Sequence, residues 1–223
     1  LKARHRELQD VVVTDVCPYS LGVETSKSLG HTREDGYFSP IIERNKSIPC
    51  SRVNNFYTIY DQQTQVNFKI YQGESRRVVD NIFLAELLVN VPPKPVGEVK
   101  IEVRFTYDIN GILDVDITVP LTGAKNRLVI EQNPGALTEE EIKLSLAKLA
   151  QLKIHPRDEQ INQALIARMD HLYQLSLSET RIWISDCSRK FSYLLELQDP
   201  DLIADFRSKI EPILDNLERD RLL

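Results

Sequence analysis

The feature that most constrains this chain is a change of hydrophobic period near residue 134. From about residue 16 to 131 apolar and polar residues alternate, as in Val66-Asn67-Phe68-Lys69-Ile70, Ile101-Glu102-Val103-Arg104-Phe105 and Val115-Asp116-Ile117-Thr118-Val119. That is the pattern of strands with one buried face. Turn chemistry separates the runs at Asp61-Gln62-Gln63-Thr64, Asp108-Ile109-Asn110-Gly111 and Leu121-Thr122-Gly123, with Asn-Gly and Thr-Gly in the last two supplying the positive φ that hairpins need. Short strands joined this way predict an antiparallel β-sandwich. Val91-Pro92-Pro93-Lys94-Pro95 is read as a loop, because its prolines cannot donate to a ladder.

After Asn133-Pro134-Gly135 the period becomes 3.6. Thr138 with Glu141 three residues on forms a capping box, with Leu137 and Ile142 as a staple, so a helix starts there with Ile142, Leu146 and Leu149 on its apolar face. A second helical pattern runs from about Arg157 into the 190s, with Ile161, Leu165, Met169 and Leu172 on one stripe. Asp199-Pro200 reads as an N-cap with proline at the first helical position, and Ile203, Phe206, Ile210 and Ile213 mark a third helix that Pro212 should kink. Strands first and helices second is an α+β arrangement. The expected organisation is 15–133 as the sandwich and 134–223 as the helical subdomain.

Composition narrows the partners. The 223 residues carry 28 basic and 33 acidic side chains, a net charge of −5, with no run of Lys or Arg, so nucleic acid and anionic membrane are set aside. Cys17, Cys50 and Cys187 form neither a disulfide framework nor a metal knuckle, which points to a reducing, cytoplasmic setting. No apolar stretch approaches the roughly 20 residues of a membrane-spanning helix. The chain opens at Leu1 inside a charged, helix-compatible segment and is read as a piece of a longer polypeptide.

Catalytic constellations are scarce. No G-x-x-x-x-G-K-[ST] or G-x-G-x-x-G is present to cradle a phosphate, and His5, His31, His155 and His171 have no ligand spacing for zinc. Asp170-His171 is the one adjacent acid and imidazole, but helical neighbours at i, i+1 point apart, so a surface role outweighs a hydrolytic one. Trp183 and Tyr173 are read as packing residues. What remains is a β-module able to offer a groove or a sheet edge to an extended peptide.

Three segments carry a resemblance. Asp10-Val11-Val12-Val13-Thr14-Asp15-Val16-Cys17-Pro18-Tyr19-Ser20-Leu21-Gly22-Val23-Glu24-Thr25, then Ile42-Glu43-Arg44-Asn45-Lys46-Ser47-Ile48-Pro49, then Val66 to Glu74 with Asp80-Asn81, follow in order. Together they resemble the seventy-kilodalton heat-shock chaperones of DnaK type, at the junction between linker and substrate-binding domain and onward through it. The departures are similar to those of a divergent bacterial paralogue within that family. The resemblance implies a β-sandwich that encloses an extended stretch of unfolded polypeptide under a helical lid. It also implies an upstream ATPase domain that would hold ATP and Mg²⁺, no cofactor and no catalysis in this segment, and a J-domain co-chaperone as partner.

Carried over residue by residue, the resemblance makes Val66 the floor of a central apolar pocket, with Val23, Phe56, Phe68 and Ile101 lining it. Thr25, Tyr57, Ile59 and Asn67 fall at peptide-contacting positions, Ile59 also forming one side of an arch over the bound main chain. By the same resemblance 1–14 would be the end of that ATPase domain and the interdomain linker, which holds Val11, Val12 and Val13, and Asp15 and Arg44 fall at positions of the same interdomain contact. Asp170 matches a lid residue that latches to the sandwich, where the partner position holds Val96. Asp61 matches the other latch, whose partner position holds Gln174. With those partners replaced, the lid is expected to close less firmly.

Ser26 to Phe38 is longer than the family pattern and is expected to be a polar loop beside the groove, with Tyr37 and Phe38 as candidates for the far side of the arch. Two functions stand at this point: a module that clamps unfolded segments under control of its own ATPase domain, and an interaction scaffold that self-associates through its groove and helices.

Overall fold

The computed structural model describes residues 15–29, 32–132 and 135–219. Val11, Val12 and Val13, expected in a linker, and Asn133-Pro134, at the expected boundary, lie outside them. Eight strands form two four-stranded antiparallel sheets: β1 (Leu21–Leu29), β2 (Thr32–Ile42), β3 (Cys50–Tyr57), β4 (Gln65–Gln72), β5 (Ile82–Asn90), β6 (Lys100–Tyr107), β7 (Ile112–Val119) and β8 (Ala124–Glu131). The strand orders are β2-β1-β4-β5 and β3-β6-β7-β8. Four helices follow, α1 (Glu139–Ala150), α2 (Gln160–Leu175), α3 (Ser178–Leu197) and α4 (Pro200–Arg219). The fold is α+β, a β-sandwich followed by a helical lid subdomain.

The alternation read from the sequence sets the layers. In β6, Ile101, Val103 and Phe105 are fully buried while Glu102 and Arg104 are not, so the aliphatic set faces the opposing sheet and the charged set faces outward. Leu21, Val23, Phe68, Ile70, Val115 and Ile117 complete that core. The family-like motifs hold joints together. A Cβ on Gly22 would lie 2.1 Å from the Ser39 carbonyl, so the irregular β1–β2 pairing there requires glycine. Glu74 accepts from Ser20 N at 2.8 Å and Ser20 Oγ at 3.1 Å, and Asn81 accepts from Ser75 N at 2.9 Å.

Two sequence expectations change. Ser26 to Phe38 is not a loop: β1 and β2 extend through it as a long paired hairpin, with Lys27 opposite Glu34 and Thr25 opposite Tyr37. Its alternating polar residues suit a ribbon with both faces wet, which hydrophobic period does not detect. The long second helix is also divided. Ser176 Oγ donates to the Leu172 carbonyl at 2.7 Å and Ser178 adopts a left-handed φ of 49°, so α2 ends and α3 turns back. Leu175 and Leu177 preserve the apparent period across the break while remaining exposed.

Helix termini follow the sequence closely. Thr138 Oγ1 accepts from Glu141 N at 3.3 Å and Glu141 Oε2 from Thr138 N at 2.8 Å, and Asp199 Oδ1 accepts from Asp201 N at 2.9 Å. α4 continues through Pro212 as one helix. Leu165, Met169, Leu172, Ile184, Phe191, Ile203, Phe206 and Ile210 form a second core shared by α2, α3 and α4. Two expected members fail: Ile161 and Ile213 are about half exposed, Asn162 and Leu214 taking the buried positions.

The helical part meets the sandwich through polar contacts. α1 packs against β7 and α3 against β3. Lys153, in the turn after α1, reaches Asp114 and Asp116 at 2.6 Å each. Arg104 donates to Gln198 Oε1 at 2.6 Å, and Asp201 pairs with Lys46 and with Arg52. Asp114, Asp116 and Arg104 belong to the outward-facing set of β6 and β7, so these helices rest on the back of the second sheet.

Candidate groove

Between the β1–β2 hairpin and the loop joining β3 to β4 lies a cavity of about 650 Å³, open to solvent. Its floor is apolar. Phe56 and Phe68 meet edge to face at 5.8 Å, and Ile101 stands opposite Phe56 in the β3–β6 register. Val66, paired with Val89 on β5, is partly buried and packs on the same core. Thr25 and Ser26 come from β1, Tyr57 from the end of β3, Asn67 and Lys69 from β4, and Ile59 and Tyr60 from the loop. That loop is pinned from within: Gln63 Oε1 accepts from Ile59 N at 2.9 Å and Tyr60 N at 3.3 Å, and Gln62 sits at a φ of 54°.

Of the positions that the resemblance placed on a peptide, Thr25, Phe56, Tyr57, Ile59, Val66, Asn67, Phe68 and Ile101 all line this one cavity. Val23 does not. It is fully buried in the sandwich core, because β1 turns it toward Ile70 on β4 rather than toward the opening. Tyr37 and Phe38 do not line the cavity either. Tyr37 donates to Glu34 at 2.7 Å and stacks with Lys27 and Arg77. Arg33 spans the gap instead, donating from Nη1 to the Ile59 carbonyl and lying 5.5 Å from the Tyr60 ring.

Sequence reasoning missed Glu24, Ser26, Asp35, Asn55, Tyr60, Gln63 and Lys69, polar or loop residues that an apolar pattern does not flag. Lys69 pairs with Glu24 at 3.1 Å, and that hydrogen bond holds the ammonium pKa above its usual value. Asp35 accepts from Ser26 Oγ at 2.5 Å. Asn55 leaves its Oδ1 buried without a partner among the described residues, an acceptor beside the cavity that a bound donor would relieve.

The remaining candidates divide. Asp15 is exposed, and its carbonyl accepts from Ile48 N at 2.9 Å. Arg44 lies 3.8 Å from Glu74. Asp61 and Val96 are together, Val96 N donating to Asp61 Oδ1 at 2.9 Å. The side chains of Asp170 and Gln174 are exposed on α2 and make no hydrogen bond or ion pair among the described residues, and neither meets Asp61 or Val96. The reason is placement: the helices rest on the back of the second sheet, and no helical residue lines the cavity. Among the described residues no group of three or more His, Cys, Asp or Glu is arranged to hold a metal.

The site is thus an apolar-floored groove at one end of an antiparallel sandwich, with a helical subdomain following it in the chain. The family model for Hsp70 protein matches residues 2–181, and this chain belongs to the Hsp70 family. It is 43% identical to the chaperone protein DnaK of Anaplasma marginale over 138 residues, 61% of this chain and 20% of that protein. It is 40% identical to the chaperone protein DnaK of Methanothermobacter thermautotrophicus over 158 residues, 70% and 24%. The heat shock 70 kDa protein of Penicillium citrinum is 32% identical over 189 residues, 83% and 36%. The chain therefore spans between a fifth and somewhat over a third of the length of these curated relatives.

Proposed function

We propose that this chain is the substrate-binding part of a chaperone and that its groove clamps extended, aliphatic-rich segments of unfolded polypeptide. The observation that carries the reading is the gathering of Thr25, Phe56, Tyr57, Ile59, Val66, Asn67, Phe68 and Ile101 around one open cavity. The chemistry fits promiscuous capture. Polar wall groups can bond to main-chain amides whatever the sequence, and one apolar floor selects where the clamp sits. Burying a leucine there contributes about 1.5–3 kcal/mol, enough to prefer aliphatic segments without demanding one sequence.

In this reading an ATPase domain outside the chain binds ATP and Mg²⁺ and controls the groove. Val11, Val12 and Val13, with Asp15 and Arg44, form the coupling surface, and a J-domain co-chaperone stimulates hydrolysis. The departures from the family pattern resemble those of the divergent bacterial paralogue HscC, and in this reading the protein belongs to that branch and acts in the cytoplasm. A second reading, a self-associating scaffold, draws on the cleft of about 390 Å³ lined by Trp183, Ile213 and Leu217 on the bundle, and makes elution volume depend on concentration.

The test is fluorescence anisotropy of a short labelled peptide with a central leucine, titrated with the chain and with Val66→Phe. Overfilling the floor lowers affinity by about fivefold to a hundredfold. Saturable binding indifferent to the substitution moves the site elsewhere, and absence of binding across apolar peptides removes the reading.

A further inference from the structure

Arg33 is a cation with spare valence above the groove. Its side chain is exposed at the tip of the β1–β2 hairpin and uses one N–H, from Nη1, on the Ile59 carbonyl, with its plane near the Tyr60 ring. A guanidinium has five N–H donors in a fixed fork and no acceptor, so most of its bonding capacity is unspent. Among the described residues it has no carboxylate partner, whereas the other basic side chains of this hairpin region are engaged. Lys69 pairs with Glu24, Arg77 pairs with Glu34 at 2.8 Å, and Lys27 lies over Tyr37. Asp35, two residues further along β2, lines the cavity and is bonded to Ser26 rather than to Arg33.

We propose that Arg33 is a specificity-determining residue that pairs with a carboxylate of the bound segment, so that the groove favours aliphatic segments flanked by an acidic residue. The inference rests on the peptide-clamping reading above. An Arg–carboxylate pair can be bidentate and directional, and here it forms where the strap between hairpin and loop crosses the opening. Lysine at the same peptide position meets like charge instead. Asp35 lines the cavity and sets the limit of the effect: a base further along the segment meets Asp35, so the acid is selected only beside the strap.

The experiment compares three labelled peptides with a central leucine whose neighbour, placed on either flank in turn, is alanine, glutamate or lysine. They are titrated against the chain, Arg33→Gln and Arg33→Lys. On the wild-type chain glutamate on one flank strengthens binding over alanine by about threefold to tenfold and lysine weakens it, and the spread contracts in high salt. Arg33→Gln brings the glutamate-to-alanine ratio close to one, and Arg33→Lys restores part of it because the charge returns without the fork. If all three peptides bind, respond to Val66→Phe, and keep the same ratio in Arg33→Gln, this inference fails while the clamping reading stands. If no peptide binds the wild-type chain, both fail. A preference for lysine that Arg33→Gln leaves intact assigns charge selection to Asp35 and also overturns it.

Discussion

The two halves of this chain are held by opposite means from the inside and from the outside. Each has its own apolar core, one centred on Ile101, Phe105 and Val115 and the other on Met169, Phe191 and Phe206. The hydrogen bonds and ion pairs between them include Lys153 to Asp114 and Asp116, Arg104 to Gln198, and Asn110 to Ser145 at 2.9 Å, beside a small apolar contact region where Leu149 and Leu152 face Pro49 and Ile109. Apolar cores bind each half into a unit, while polar contacts can exchange for water at small net cost. A helical subdomain attached this way is expected to leave the sheet without either half unfolding.

The largest expected effect tests that separation. Phe191 is fully buried and stacks on Phe206 with centroids 5.2 Å apart. Phe191→Ala should remove about 3–5 kcal/mol from the bundle. The chain has a single tryptophan, Trp183, which packs on that bundle core, so its fluorescence follows the helices. The Trp183 transition should move to much lower urea while hydrogen exchange of the β6 amides holds. Equal loss of protection in β6 would mean that the halves form one cooperative unit.

Asp114 is the exception at the junction and gives the next largest effect. It is fully buried, accepts from Arg127 Nε at 2.8 Å and Nη2 at 2.7 Å, and pairs with Lys153 at 2.6 Å. Burial by itself raises its pKa, but the hydrogen bonds and charges of Arg127 and Lys153 outweigh burial and bring it below the usual carboxylate value. The stabilisation it supplies is therefore complete above the unfolded pKa of about 3.9 and is lost as pH falls through the lower folded value. Asp114→Asn should cost about 3 kcal/mol at neutral pH, because it strands two cations beside a buried amide. Wild-type urea midpoints should fall below roughly pH 4 more steeply than those of the variant. Parallel pH profiles would show that Asp114 is not the group being titrated.

The same contrast explains what could be read from the sequence. The sandwich was legible because its aliphatic period of two is long and repeated, and the caps at Thr138 and Asp199 because each needs only neighbouring residues. The groove floor at Phe56, Val66, Phe68 and Ile101 was legible through the resemblance, although Val23 shows that an apolar position beside a groove can turn into the core. Arg33 and Asp35 were not legible, since their roles depend on a hairpin whose residues are polar on both faces. The break at Ser176 was hidden because leucines on both sides continue the helical period. The docking contacts pair residues far apart in the chain, as Arg104 with Gln198, and no local pattern announces them.

The smallest effect is the sharpest test of how the helices are attached. Asp201, in the first turn of α4, is largely exposed and meets Lys46 and, at 3.5 Å, Arg52. Exposed pairs of this kind contribute up to about 1 kcal/mol and weaken with salt. A double-mutant cycle with Lys46→Met and Asp201→Asn, read from urea denaturation followed at Trp183, should give a coupling below about 1 kcal/mol at low salt and less in high salt. A coupling above about 2 kcal/mol that ignores salt would require the pair to be shielded from water by a tightly closed junction. The helices would then be a fixed part of the sandwich, and covering the groove would demand the loss of a strong contact. A small, screened coupling leaves the buried Asp114 cluster as the principal tether, so that the end of the helical subdomain nearest α4 is the first part free to move.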